Sequence, residues 1–115
     1  TELLHTVLRS FASFAPPLCA CRLLIICDGT KPASNNNYRS GRIDDGARKA
    51  YVEYKANLRA LVQHTSFVFA RAEVVELQQH HGFGFAVHAA LQHVTTPLVC
   101  VVQHDRALLR CVDFG

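Results

Sequence analysis

Long apolar runs are missing from this chain of 115 residues. No stretch approaches the roughly 18 consecutive apolar residues that cross a bilayer, and no basic segment followed by a signal-like apolar one opens it, so no membrane segment is expected within these residues, which leaves room for an anchor outside them. Clusters of one charge are missing too. Twelve Lys and Arg leave a formal net charge of +3, but they are spread along the chain and give no electrostatic footprint for nucleic acid. Five cysteines and seven histidines form no Cys-x-x-Cys and no His-x-x-x-His pair, so zinc lacks its usual ligand spacing. His88 and His93 stand five apart, which turns their rings away from each other on a helix. Cys19-Ala20-Cys21 is too tight for a zinc knuckle. Gly82-Phe83-Gly84 lacks the third glycine of a dinucleotide fingerprint, and no internal repeat occurs.

What is there is a globular composition. Half of the residues are hydrophobic and 18% are charged, far from a disordered chain. The length suits one core, so residues 1–115 are expected to form a single domain or a fragment of one. The odd cysteine count, with Cys27 and Cys100 inside apolar runs, favours reduced thiols and a reducing compartment such as the cytoplasm.

Periodicity orders the chain. Leu3, Leu4, Val7, Leu8, Phe11 and Phe14 fall on one helical face, with Thr1 placed as the N-cap, and Pro16-Pro17 ends that helix. A strand from about Arg22 to Cys27 follows. Residues Asp28 to Ile43 are rich in Gly, Pro, Ser and Asn and predict a long loop, a common seat of binding groups. From Asp44 the apolar positions Ala47, Ala50, Tyr51, Tyr54, Leu58, Leu61 and Val62 repeat at three and four and predict a second helix, with Arg48, Lys49, Lys55 and Arg59 on its solvated faces. Ser66 to Ala70 and Glu73 to Leu77 are short β-type runs, the second better bounded by turn residues. A small-residue helix is expected from about Phe85 to Val94, and the run Pro97 to Val102 then predicts a buried strand that delivers Asp105 at its carboxyl end. The order helix, strand, helix, strand, helix, strand argues for parallel strands joined by right-handed crossovers.

Three pieces in that order carry a resemblance: Leu24-Ile25-Ile26-Cys27-Asp28-Gly29-Thr30; Val74 to Leu77 with Gly82 to Leu91; and Leu98-Val99-Cys100-Val101-Val102-Gln103-His104-Asp105. Together they resemble the donor-binding half of a family 2-like glycosyltransferase with the A-type fold. Cys27 stands where that family has a first acid, Val87-His88 where it has Arg-Asn, and Gln103 where its acid-any residue-acid motif begins. The resemblance implies a Rossmann-like three-layer sandwich with a mostly parallel sheet, an incomplete A-type fold. It implies a nucleotide-diphospho-sugar donor held by Asp28, Gly29, Thr30, Gly82, Gly84, His88 and Gln103. Asp105 would hold a divalent metal, Mn or Mg, together with the donor diphosphate, neutralising the departing nucleoside diphosphate. The family's acceptor site and catalytic base follow this half, so the acceptor stays unidentified and no catalytic residue is assigned.

Other readings weigh against it. Ile26-Cys27-Asp28-Gly29-Thr30 is also similar to the strand end of haloacid dehalogenase-like phosphatases, but Ile26 takes the nucleophile's place and cannot attack phosphorus. His104 beside Asp105 joins a metal site or is a solvated turn residue. Asp28-Gly29 is by itself a turn former. The alternative function is a non-catalytic nucleotide-binding or interaction module on a degenerate transferase fold. Because the sequence starts on a helix, the strand that would precede it is absent, and the sheet edge so left is a candidate for association.

Overall fold

An apolar stripe at helical spacing and a pair of β-branched runs decide the architecture. The computed structural model describes residues 2–64 and 67–114. The first helix, α1 (Glu2–Phe14), buries Val7, Leu8, Ser10 and Phe11, the face that the spacing predicts. Thr1, the expected N-cap, lies outside the described residues. Pro16–Ala20 forms a 3-10 turn, where the ring constraint at two successive prolines stops the α-helix. Next come β1 (Arg22–Cys27), the two-residue strands β2 (Lys31–Pro32) and β3 (Arg42–Ile43), α2 (Asp45–Gln63), β4 (Arg71–Glu76) and α3 (Phe83–Leu91).

β1 and β4 pair in parallel, with Ile25 opposite Val74 and Cys27 opposite Glu76. Ile25 and Cys27 share one buried cluster with Val7, Leu8 and Phe11 of α1, Leu58 of α2 and Phe69. Strand alternation turns Leu24, Ile26 and Val75 to the opposite face, where they are only half-buried. Leu58 and Val7 are the large side chains most completely enclosed, each worth roughly 1.5–3 kcal/mol of transfer free energy. The class is therefore α/β with a small parallel sheet.

Two expected strands are not strands. Of Ser66 to Ala70, Ser66 lies outside the described residues and Phe67 to Ala70 form no strand; Phe69 instead plugs the core with its ring 6.0 Å from that of Phe11. The run Leu98 to Val102 has no strand pairing at all, and Leu98 and Val99 are 87% and 53% exposed. An apolar run becomes a parallel strand only where a neighbour accepts its backbone hydrogen bonds and both faces are covered. Neither condition is met here among the described residues. The third helix also begins and ends earlier than its expected span of Phe85 to Val94.

The register locates the sheet's open side. Leu77 N donates to the Cys27 carbonyl (2.9 Å), so Cys27, Ile25 and Leu23 direct their backbone groups at β4. The N–H and C=O of Leu24 and Ile26 then point to the other edge of β1. No strand pairs along that edge among the described residues.

Candidate functional site

The carboxyl ends of β1 and β4 lie side by side, and Asp28 is the first residue beyond β1. Its carboxylate reaches across to the segment after β4. Oδ1 accepts from Gly29 N (2.9 Å) and His81 N (2.9 Å); Oδ2 accepts from Gly82 N (2.8 Å) and lies 3.2 Å from His81 N. Gly82 is the N-cap of α3, so Asp28 supplies a negative charge at that helix's positive end. Two histidines complete the cluster. His80 Nδ1 faces Asp28 Oδ2 at 3.1 Å and the Gly29 carbonyl at 3.3 Å. His81 Nδ1 faces the Gln79 carbonyl at 2.6 Å and Asp28 Oδ1 at 3.4 Å. Each of these nitrogens meets only acceptors and so carries its proton.

This clamp draws two backbones together. A Cβ on Gly29 would stand 2.3 Å from the Gln79 carbonyl carbon, so only glycine permits the approach. Gly41, at φ 75°, occupies the left-handed region, and a Cβ there would stand 2.2 Å from His80 Cγ.

Above the clamp opens a cleft of ≈ 430 Å³, within the size range of small-molecule sites. Asp28, Gly29 and Thr30 line it from the end of β1, and His80 from the end of β4. Tyr38, Gly41 and Ile43 enter from the loop, and Ala47, Ala50 and Tyr51 from α2. The loop is fastened to the helix. Asn36 Nδ2 donates to Asp44 Oδ2 (3.2 Å), Asp44 N donates to Asn36 Oδ1 (2.9 Å), and Asp44 Oδ1 caps α2 by accepting from Ala47 N (2.8 Å). The Tyr51 hydroxyl donates to the Asp28 carbonyl (2.8 Å).

Behind the cleft, Glu76 pairs with Lys55 (3.0 Å) and Arg59 (2.5 Å). The hydrogen bond from Lys55, with the two cationic charges, holds the Glu76 carboxyl below its ordinary range despite partial desolvation. Burial, reinforced by Glu76, pushes the Cys27 thiol up, which disqualifies it as a nucleophile at neutral pH. Burial likewise raises the Tyr51 phenol, leaving it a hydrogen-bond donor and not a base.

The expected site residues divide. Asp28, Gly29 and Thr30 line the cleft, and Gly82 joins them through its N–H. Gly84 and His88 sit exposed on α3. Gln103 and Asp105 belong to the unpaired segment after Leu98, both exposed, and among the described residues no hydrogen bond ties either to the Asp28 cluster. The charged contact of Asp105 is with its neighbour Arg106, at 3.9 Å. No group of three His, Cys, Asp or Glu that could hold a metal ion occurs among the described residues. Sequence reasoning assigned none of the cleft's other lining residues to a site, Tyr38, Tyr51 and His80 among them. An aromatic among turn formers was the available signal for Tyr38, and His80 stood out only as one of several histidines.

All five cysteines are free thiols, and no helix among the described residues is long and apolar enough to cross a membrane. Compared with models of known families, with curated proteins and with solved structures, the chain matches none.

Proposed function

We propose that the Asp28 cleft binds a nucleotide, and that the chain is the donor-binding part of a glycosyltransferase-like domain taking a nucleotide-diphospho-sugar for transfer to an acceptor. One observation carries this: a cleft at the adjoining carboxyl ends of two parallel strands, where open α/β sheets bind ligands, lined by Asp28 to Thr30 after β1 and by His80 after β4. The finer architecture, a Rossmann-like three-layer sandwich of incomplete A type, belongs to the same proposal. Within it Asp28 acts indirectly. Its oxygens already accept backbone N–H groups, so it fixes the cleft's shape and leaves ligand contacts to Thr30, Tyr38 and exposed backbone. A divalent ion enters the proposal only as something the ligand's own diphosphate would bring to Asp105.

The second reading, a non-catalytic interaction module, has its own observation. The open edge of β1 and the exposed run Leu98 to Val102 are unpaired backbone and exposed apolar surface, the features of an associating face.

Calorimetric titration with nucleoside diphosphates and their sugar conjugates, with and without manganese, on wild type and Asp105→Ala, tests the proposal. Saturable nucleotide binding is expected. Binding that strengthens with manganese in wild type and not in Asp105→Ala would add the metal. No binding by any nucleotide overturns the transferase reading and leaves the interaction module.

A further inference from the structure

The lining of the cleft narrows what fits in it. Among the described residues it contains no Lys and no Arg, and the nearest carboxylate, Asp28, repels a phosphate. Nor does it suit a free sugar, whose hydroxyl groups need acceptors: the Asp28 oxygens are already engaged by the N–H groups of Gly29, His81 and Gly82. What it offers is aromatic and small apolar surface with a few polar atoms at the edge. Ala47 and Ala50 keep the α2 side shallow, while Thr30 and His80 add polar atoms.

Tyr38 is the unexplained member. It is 73% exposed, so it is open to a ligand entering the cleft. Its backbone is nevertheless held. Asn37 Oδ1 accepts from Ser40 N (3.3 Å), Gly41 N donates to the Tyr38 carbonyl (3.2 Å), and Asn37 N and Arg42 N each donate to the other residue's carbonyl (2.8 and 3.0 Å). The Asn36–Asp44 pair then joins this turn to the N-terminus of α2. A ring displayed on a braced turn loses little freedom when something stacks on it.

We infer that the cleft Tyr38 shares with Ala47 and Ala50 takes a planar heteroaromatic ring, the nucleobase of the nucleotide, stacked on Tyr38, with the phosphates directed out of the cleft. This inference rests on the nucleotide reading and makes Tyr38 its specificity-determining residue.

The chain has three tyrosines and no tryptophan, and Tyr51 and Tyr54 are half-buried and stacked on each other with centroids 6.1 Å apart. Tyr38 and Tyr51 both line the cleft and are the emitters a base there would reach, and loss of the quench in Tyr38→Ala assigns it to Tyr38. Titration with uridine, cytidine, adenosine and guanosine monophosphates, with ribose 5-phosphate as the base-free control, is expected to quench tyrosine emission for at least one nucleotide and not for the control. By calorimetry, Tyr38→Ala should weaken that nucleotide roughly ten-fold or more, while Tyr38→Phe keeps the affinity; unchanged melting temperatures would show both variants folded. Equal binding by wild type and Tyr38→Ala, or ribose 5-phosphate binding as tightly as the nucleotides, overturns the inference and leaves nucleotide binding standing. If no nucleotide binds the wild type, both fall together.

Discussion

At the scale of single residues, Asp28 and Glu76 are two carboxylates one step apart at the ends of paired strands, with different work. Asp28 is filled by backbone donors and organises the cleft. Glu76 is filled by cations and holds α2 to β4. Because the folded protein holds the Glu76 carboxyl below its ordinary value, its contribution to stability is fully present above the unfolded glutamate pKa of about 4.3. That contribution is lost as pH falls through the depressed folded value. Melting temperatures from pH 6 down to pH 3 should therefore drop more steeply for wild type than for Glu76→Gln; parallel curves would contradict the pairing. The effect should be modest, since the Glu76 side chain is a third exposed and solvent screens it. Asp28 was legible in the sequence as a strand-end acid, but its function as a clamp was not. Its partners His81 and Gly82 lie 53 and 54 residues away, and no local pattern encodes a contact between two loops.

At the scale of elements, α1, β1 and α2 were legible because each is specified by its own period and stops, and β4 to within two residues. Asp44 illustrates how much one residue settles. It caps α2 and ties down the loop that carries Tyr38. Asp44→Ala should cost about 1 kcal/mol for the cap, read by urea denaturation. Because it also loses the side-chain half of the link to Asn36, the bond from Asn36 Nδ2, the variant should bind nucleotide somewhat more weakly while Tyr38 itself is untouched. A destabilisation near zero would contradict the capping geometry. The run Leu98 to Val102 was not legible: composition alone does not separate a buried strand from an exposed extended segment, because the difference lies in a neighbouring strand. The sequence pattern demanded a partner that none of the described residues supplies.

At the scale of the whole molecule, one helix-covered face of a two-stranded parallel sheet holds the core. The cleft opens at the strands' carboxyl ends, and the open edge of β1 and the exposed C-terminal run have no strand partner among the described residues. The nucleotide proposal belongs to the cleft, the interaction module to the edge and the run, so ligand-induced changes can be mapped to separate places. Backbone amide NMR of the ¹⁵N-labelled chain titrated with nucleoside monophosphates is the most direct measurement. If nucleotide enters the cleft, saturable shifts concentrate at Gly29, Thr30, Tyr38, Gly41 and His80, with Leu98 to Val102 unmoved. Shifts absent from the cleft at saturating nucleotide, or confined to the exposed run and the edge of β1, would contradict the nucleotide proposal.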